Sequence, residues 1–481
     1  MILYEKVFHI IGMLFFVLSS LMLIPISVDL CCGHQAVAAG FTLSSLFSGF
    51  VGGLLYLSTK TDVDVTLNIK EKILLVLIAW MLLPIAAAMP FITSPFQIPW
   101  VDCFYEAVSA LTTTGNSSVY NIKNYSAGFI LWHSILQIFG GVCFIISCLY
   151  VFAKFRSTYA IKIESTTFIK GDSFAERLKK IITIYVGLVF IGVLLIAGAG
   201  FPVVDAVYYA TSALSSSGFF VDASSGSIYS LHLANWTLVL LMFIGGCSIG
   251  LIINVVQNGL AALNNQQFIC YGFILSMGTV ILSIYIHCTS PFDGSLLESL
   301  EKAFVLTVSS ITNTGMNFIG TDAFGNFMDT ILYIMNFCGG CSGSCTGGIK
   351  IFRIIMIFLL IKSYLMRLTK TNAIYIPIYA GKRLGDAEIT SLFTYFLCYA
   401  MLAIVFALLM CYGEMDFGKA IGMVVTTMNN NGPFLGTRMA TYAEIAAFSP
   451  YIKSILMLAM IAGRVEFLPF FLVAMRSFWS R

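Results

Sequence analysis

Residues 111–115 read Leu-Thr-Thr-Thr-Gly, and three later segments of the chain repeat this pattern. Aligned without gaps on the glycine, the matching segments are Asp102 to Ser118, Asp205 to Val221, Lys302 to Phe318 and Lys419 to Leu435. Their glycines are spaced 103, 97 and 117 residues apart. A repeat of this kind is read before any local pattern. It predicts four copies of one structural unit.

Each glycine follows three small polar residues. The four segments are Thr112, Thr113, Thr114 and Gly115; Ser215, Ser216, Ser217 and Gly218; Thr312, Asn313, Thr314 and Gly315; and Asn429, Asn430, Asn431 and Gly432. Glycine reaches backbone angles that other residues avoid, and a helix C-terminus carries partial negative charge. We expect short pore helices whose terminal carbonyls line a cation filter. These residues alone leave open four ordinary Ser/Thr-rich helix ends in a helical repeat protein.

Composition indicates an integral membrane protein. The chain has 481 residues, of which 59% are hydrophobic and 10% are charged, whereas a soluble domain has about 25% charged residues. The net charge of +3 is small, and we expect no nucleic-acid partner. The 13 cysteines suggest no disulfide framework, and the five histidines show no pair at metal-ligand spacing. The first apolar run lacks a clear cleavage site, so we expect a retained helix.

The predicted fold class is an all-α integral membrane protein with four pseudo-symmetric helix–pore-helix–helix repeats around a central pore. Apolar runs at Val7–Pro25 and Ala36–Leu57 add an N-terminal two-helix hairpin within residues 1–69. The repeats are expected at residues 70–160, 161–264, 265–375 and 376–481. The half-helices before the glycines are too short to span a membrane.

Each repeat is expected to contain an outward helix, a pore helix with its loop, and a returning helix. The predicted bounds are Ile73–Ala88, Val101–Gly115 and Gly128–Ala153; Ile181–Gly198, Val203–Gly218 and Leu231–Val256; Phe268–Ile286, Leu297–Gly315 and Phe327–Tyr364; and Ile389–Met410, Phe417–Gly432 and Ala446–Met475.

Basic residues predict the orientation. Lys and Arg are frequent in the loops after the hairpin, the first repeat and the third repeat, and scarce in the loops near the filter segments. The positive-inside rule then puts both termini in the cytoplasm and the filters outside. Acidic residues near the filters could concentrate cations, although solvated loop charge explains most of them equally well. They are Asp102, Glu106, Asp205, Asp222, Glu298, Glu301, Asp322 and Asp416.

A second glycine motif recurs in the returning helices. Gly140-Gly141, Gly245-Gly246, Gly339-Gly340 and Ala462-Gly463 fall 25, 27, 24 and 30 residues after their filter glycines. In the third repeat the motif extends over residues 338–348, too rich in glycine and serine for a helix interior. We expect an intramembrane loop there, with little packing and two arrangements of similar energy.

Two other interpretations of this loop fail, and one charged residue stands apart. Cys338-x-x-Cys341 lacks the second ligand pair of a metal site. The order Gly348-Ile349-Lys350 lacks the Gly-Lys-Ser/Thr sequence of a phosphate-binding loop.

Arg464 lies in mid-span, where an ionisable residue is costly and usually functional. We expect it to face the pore cavity or to form a charge pair, for instance with Glu466.

The four filter glycines, the run from Gly339 to Lys350 and the Gly463-Arg464 pair resemble the Trk/Ktr/HKT superfamily of potassium transporters, and the N-terminal hairpin resembles its TrkH branch. The resemblance covers nearly the whole chain. Two positions depart from the family pattern, Cys345 and Gly141-Val142-Cys143.

The resemblance implies a homodimer in the bacterial inner membrane, with one pore per protomer. It also implies a separate cytoplasmic ring of TrkA-type subunits with RCK domains, which would bind ATP/ADP or NAD(H), whereas this chain would hold no cofactor. A gate below the filter is implied at Gly339, Gly340, Ser342, Gly343, Ser344, Thr346, Gly347, Gly348 and Arg464.

We therefore predict voltage-driven uptake of K⁺, with Rb⁺ as a substitute, through a channel-like pore. The alternative is a symport carrier that couples K⁺ to Na⁺ or H⁺ by alternating access, which broken helices at the membrane midplane would also suit. Four parallel copies favour the pore. A polytopic membrane enzyme would need a cluster of catalytic side chains near one interface, and the sequence offers none.

Overall fold

The computed structural model describes residues 4–59, 67–119, 122–148, 174–220, 232–289, 295–316, 326–370, 376–380, 382–432 and 442–479. These residues are about 80% helical. Seven of their helices are long and apolar enough to cross a membrane, and two further bent helix pairs also qualify. The predicted all-α integral membrane class is confirmed.

The N-terminal unit contains α1 (Tyr4–Leu21), α2 (Leu23–Cys31) and α3 (Gln35–Ser58). Glycine lets α1 and α3 approach closely, because a Cβ on Gly12 would lie 2.9 Å from the carbonyl oxygen of Gly52. Asp29 on α2 is fully buried. Its carboxylate accepts hydrogen bonds from the Gly128 amide at 3.0 Å and the Ser126 hydroxyl at 3.1 Å. The hairpin is thereby fastened to the first repeat at the start of its returning helix.

The four repeats follow in order. The first has α4 (Ile69–Ile92), α5 (Trp100–Leu111), a 3₁₀ turn (Ile122–Asn124) and α6 (Ala127–Ile146). The second has α7 (Phe174–Gly198), α8 (Val203–Leu214), α9 (His232–Gly245), α10 (Ile249–Asn258) and a 3₁₀ helix (Gly259–Leu263).

The third repeat has α11 (Gln266–Thr289), α12 (Leu296–Ile311), α13 (Asn326–Cys338) and α14 (Ile351–Thr369). A two-stranded antiparallel ribbon, β1 (Ile378–Tyr379) and β2 (Lys382–Arg383), precedes the fourth repeat. That repeat has α15 (Asp386–Tyr412), α16 (Phe417–Met428), α17 (Tyr442–Ala447), α18 (Pro450–Arg464), α19 (Leu468–Ala474) and α20 (Arg476–Trp479).

Each pore helix packs between the outer helices of its own repeat. Thus α5 contacts α4 and α6, and α12 contacts α11 and α13. α5 also packs against α18 of the fourth repeat, and α8 packs against α6 of the first. These contacts between repeats bring the ends of the pore helices toward one another.

Three of the returning helices are broken, and the sequence predicted only the break in the third repeat. α9 and α10 are bent by 102° around residues 246–248, and α18 and α19 by 101° around residues 465–467. The expected continuous helices Leu231–Val256 and Ala446–Met475 are therefore wrong. In the fourth repeat, Glu466 and Phe467 both have positive φ angles, 60° and 58°, which a right-handed helix cannot contain.

The predicted repeat boundaries stay predictions. The limit at residues 160/161 lies outside the described residues, and so does residue 375. The limit at 69/70 falls at the start of α4, and the limit at 264/265 falls just before α11. The basic loop residues Lys154 to Lys170, together with Asp222 and Asp322, also lie outside the described part of the chain.

Candidate ion filter and intramembrane loop

The four pore helices end in the same hydrogen-bonding pattern. In each, the amide of the residue just before the filter glycine bonds to a carbonyl oxygen five residues earlier. The four bonds are Thr114 to Ser109 at 2.9 Å and Ser217 to Ser212, Thr314 to Ser309 and Asn431 to Thr426 at 3.0 Å. Because a trans peptide points its N–H and C=O in opposite directions, the preceding carbonyls face away from the helix.

Backbone angles explain the residue types of the filter segments. The second residue of each segment is in the left-handed region, with φ of 45° at Thr113, 57° at Ser216, 56° at Asn313 and 47° at Asn430. Gly115, Gly218 and Gly315 also have positive φ. Asparagine and glycine adopt this region readily, whereas the β-branched Thr113 adopts it against its preference. The segments therefore turn sharply at the helix ends, as small polar residues and glycine allow.

The four filter segments converge on one another. A Cβ on Gly115 would lie 1.5 Å from the carbonyl oxygen of Ser217, and one on Gly218 would lie 1.7 Å from that of Thr314. A Cβ on Gly315 would lie 2.8 Å from the carbonyl carbon of Gly432. The structure thus brings together all four predicted segments, and no side chain fits at their glycines.

Hydroxyl groups within the segments bond to each other. The Oγ1 atoms of Thr112 and Thr114 are 2.8 Å apart, and so are the Oγ1 atoms of Thr312 and Thr314. In the second segment, the Oγ of Ser215 lies 3.2 Å from that of Ser217. These bonds hold the hydroxyl groups of each segment close to its own backbone.

The second glycine motif lets the returning helices touch the ends of the pore helices. A Cβ on Gly140 would lie 1.8 Å from the carbonyl oxygen of Leu111. The corresponding distances are 2.5 Å from Gly245 to Leu214 and 2.2 Å from Gly463 to Met428. The motif was visible in the sequence, and the structure shows the reason for it. Only glycine lets the returning helices approach the ends of the pore helices this closely.

The predicted intramembrane loop is held by many bonds. Its residues Gly339, Gly340, Ser342, Gly343, Ser344, Thr346 and Gly347 are buried, and Gly348 is half-buried. The Cys341 amide bonds to the Gly246 carbonyl at 2.9 Å, and the Gly343 carbonyl accepts from the Ile249 amide at 3.2 Å. The Ser342 amide donates to the side-chain oxygen of Gln267 at 3.0 Å.

The expectation of little packing around this loop is therefore wrong. The loop docks into the break between α9 and α10, which also explains why that helix breaks at residues 246–248. The loop reaches the fourth filter segment as well, because a Cβ on Gly347 would lie 1.5 Å from the carbonyl oxygen of Asn429.

Arg464 joins the loop to the first filter segment. Its side chain is fully buried. It donates hydrogen bonds to the Thr112 carbonyl and to the hydroxyl of Thr113, and a 2.8 Å bond to the carbonyl of Cys345. The guanidinium carbon lies 4.4 Å from the centre of the Phe144 ring. The suggested pair with Glu466 is not formed, because that carboxylate bonds to Arg353 at 3.1 Å.

Lys350 is a second buried cation of the loop, and the sequence analysis treated it only as a break in a phosphate-binding motif. Its Nζ bonds to the Thr346 carbonyl, to the Thr346 hydroxyl at 3.0 Å and to the Ser344 hydroxyl at 3.3 Å. It also lies 5.4 Å from the centre of the Phe144 ring, so this ring contacts two cations. The sequence contained a signal for this role, because a lysine at membrane depth is costly and usually functional.

Glu106 is not a solvated loop charge. Its side chain is buried on α5. The carboxylate accepts bonds from the Ser118 amide at 2.6 Å, the Ser117 hydroxyl at 2.7 Å and the Val119 amide at 3.1 Å, and lies 3.4 Å from the His133 imidazole. It holds residues 117–119, which follow the first filter segment. The equivalent positions in the other copies are Tyr209, Leu306 and Met423, so only the first repeat has a carboxylate at this position.

No side-chain metal centre is present within the described residues, since no group of three or more His, Cys, Asp and Glu residues could hold an ion. Cys338 and Cys341 are free thiols. Backbone carbonyls of the converging segments are candidate ligands for a cation. Carbonyl rings replace the water shell of a bare alkali cation, which would pass as cargo.

Together, the fold and these segments define a multi-pass membrane protein built around four converging re-entrant loops. Residues 273–481 match the TrkH family, described as "Cation transport protein". The chain is 26% identical over 485 residues to the Trk system potassium uptake protein TrkH of Salmonella typhimurium, covering 99% of each chain. It is 28% identical over 489 residues to TrkI of Halomonas elongata, covering 99% of this chain and 97% of the relative.

The crystal structure of the potassium transporter TrkH from Vibrio parahaemolyticus superposes with a TM-score of 0.89 at 24% identity, and the match covers 100% of both chains. That similarity establishes the shared fold. The TrkH match covers residues 273–481, and the chain is similar over its whole length to Trk potassium uptake proteins, so it is a transporter rather than an enzyme.

Proposed function

We propose that the chain conducts K⁺ into a bacterial cell through a filter built from residues 112–115, 215–218, 312–315 and 429–432. The observation that carries the proposal is the shared geometry of these segments. All four tie their amides back to the pore helices, turn through left-handed residues and converge at glycines that admit no side chain. Relatives along the whole length are named potassium uptake proteins.

The membrane potential is the driving force in this proposal. It is worth about 2.3 kcal/mol per elementary charge for each 100 mV. With both termini in the cytoplasm, the filters open to the outside and the ion leaves past the intramembrane loop. Bacterial inner-membrane localisation is supported by the apolar helices and the named relatives, and the orientation is supported by the distribution of basic residues.

The gate in this proposal is the loop at residues 339–348 together with Arg464. Two contacts support it. The loop touches the Asn429 carbonyl through Gly347, and Arg464 spans the loop and the first filter segment. A buried positive charge beside a cation path raises the barrier, because screening is weak there.

A homodimer and a cytoplasmic TrkA-type ring that binds ATP/ADP or NAD(H) belong to the same proposal. The ring would act on the gate, since the relatives are named as parts of a Trk system. Because the loop contacts the filter, a partner that moves the loop would act directly on the filter.

The test is reconstitution of the chain alone in liposomes, with uptake of Rb⁺ and Na⁺ tracers under an inside-negative potential. We expect Rb⁺ uptake to exceed Na⁺ uptake and to follow the potential without any H⁺ or Na⁺ gradient. Equal uptake of both ions contradicts the filter. A strict requirement for a second ion gradient favours the coupled carrier.

A further inference from the structure

Carboxamide side chains link neighbouring filter segments. The Nδ2 of Asn430 donates to the Thr114 hydroxyl at 2.9 Å and to the Met460 carbonyl at 2.9 Å. One amide of the fourth repeat thus connects its own returning helix to the filter segment of the first repeat.

The third repeat uses the equivalent residue in the same way. The Nδ2 of Asn313 lies 3.3 Å from the Asn429 carbonyl, 3.0 Å from the Asn336 carbonyl and 2.7 Å from the Asn336 side-chain oxygen. Asn336 and Met460 both lie three residues before a glycine of the second motif, Gly339 and Gly463. The third filter segment is therefore linked to the fourth at the carbonyl of Asn429.

The first repeat supplies its carboxamide from the returning helix. Gln137 is buried on α6 and again lies three residues before a glycine of the second motif, Gly140. Its Oε1 accepts a 2.8 Å bond from the hydroxyl of Ser217. Three boundaries between repeats, first to second, third to fourth and fourth to first, thus carry a carboxamide bond at the filter.

We propose that Gln137, Asn313 and Asn430 are specificity-determining residues whose side chains hold the filter segments at a fixed separation. The inference rests on the proposed K⁺ filter. In the snug-fit account of selectivity, a carbonyl ring favours K⁺ over the smaller Na⁺ because the ring does not close around the smaller ion. Bonds between repeats resist that closure, whereas the bonds inside each segment do not.

Asparagine at positions 313 and 430 has a simpler explanation, since asparagine tolerates the left-handed backbone found there. Glycine tolerates it better still and carries no amide. Asn430→Gly and Asn313→Gly therefore separate the two explanations. Gln137→Met removes the third link from a regular helix, where backbone conformation is not in question.

The experiment measures the ratio of Rb⁺ to Na⁺ uptake in liposomes, normalised to folded protein. Each of the three variants is expected to lower the ratio by about twofold to tenfold, the effect of losing one buried hydrogen bond. Asn235→Ser, which changes a buried amide on α9 that makes none of these bonds between filter segments, serves as the matched control and should keep the wild-type ratio.

A double-mutant cycle identifies the bond itself. Thr114→Val removes the acceptor of the Asn430 amide, so the double variant with Asn430→Gly should lower the ratio no further than the larger single effect. Additive effects contradict the link between these two residues.

The outcomes are distinct. Wild-type ratios in Asn430→Gly, Asn313→Gly and Gln137→Met, with a selective wild-type protein, overturn this inference and leave the proposed function intact. A wild-type protein that does not prefer Rb⁺ contradicts the proposed function and this inference with it.

Discussion

Arg464 donates a 2.8 Å hydrogen bond to the backbone carbonyl of Cys345, and the same guanidinium bonds to the carbonyl of Thr112. One buried cation therefore contacts both the intramembrane loop and the end of the first pore helix. The loop cannot move away from the filter without breaking a charge-assisted bond, and such bonds are about twice as strong as neutral ones.

Replacing Arg464 with Gln is expected to raise Rb⁺ uptake by the isolated protein several-fold, up to about tenfold, because a buried positive charge beside the ion path is removed. Gln keeps donors for the Thr112 and Cys345 carbonyls, so the fold should survive better than with Ala. The measurement is tracer uptake in liposomes, divided by the amount of folded protein. The control is Arg367→Gln, which removes a charge from the exposed last turn of α14. Unchanged or slower uptake by Arg464→Gln defeats the gate assignment.

Adding a side chain at Gly115 should disturb the filter more than backbone strain alone explains. Gly115 and Gly33 have similar φ angles, 83° and 80°, but only Gly115 has the Ser217 oxygen 1.5 Å from a new Cβ, whereas Gly33 has no atom within 4 Å. Gly115→Ser is therefore expected to lower the ratio of Rb⁺ to Na⁺ uptake, while Gly33→Ser should cost only about 1 kcal/mol of stability.

Uptake ratios and thermal unfolding of the two glycine variants check this expectation. A wild-type ratio in folded Gly115→Ser places Gly115 outside the filter.

Much of this architecture was readable from the sequence, because its constraints repeat. Four copies of one pattern, each with a glycine that follows three small polar residues, predicted the pore helices within a few residues. The Gly-rich run predicted the break after Cys338. These features are local, since they reflect backbone angles and helix propensity.

The features that escaped prediction are long-range. The break after Gly245 depends on the loop that docks there from about 95 residues further along the chain. The pairing of Arg353 with Glu466, rather than Arg464 with Glu466, depends on how α14 meets the break between α18 and α19. The burial of Glu106 was not predicted for the same reason. Its hydrogen-bond donors are residues 117–119, which follow the filter glycine and return to the pore helix.

Glu106→Gln should destabilise residues 117–119, which follow the first filter segment. The buried carboxylate accepts bonds from two backbone amides and two hydroxyls, and a neutral amide cannot accept all of them equally well. We expect a loss of about 1–3 kcal/mol in stability, the range for an unsatisfied buried polar group. Thermal unfolding in detergent measures it.

The control for this experiment is Glu444→Gln, at an exposed salt bridge with Lys419. Such pairs contribute about 0–1 kcal/mol. Equal destabilisation in the two variants shows that Glu106 has no special role.

Lys350→Met should loosen the intramembrane loop, because the ammonium group bonds to Ser344 and to both oxygens of Thr346 within its own loop. Methionine keeps the length of the side chain and its contact with Phe144 but donates no hydrogen bond. The expected result is faster reaction of Cys345, which is 3% exposed in the structure, with a small thiol reagent. Parallel labelling of Cys345→Ser in the same background assigns the signal.

The control is Lys70→Met, which alters a lysine over the Phe478 ring, far along the chain from the loop. This variant should leave the Cys345 rate unchanged. An unaltered Cys345 rate in Lys350→Met, with Rb⁺ uptake also unaltered, shows that this lysine does not hold the loop against the filter.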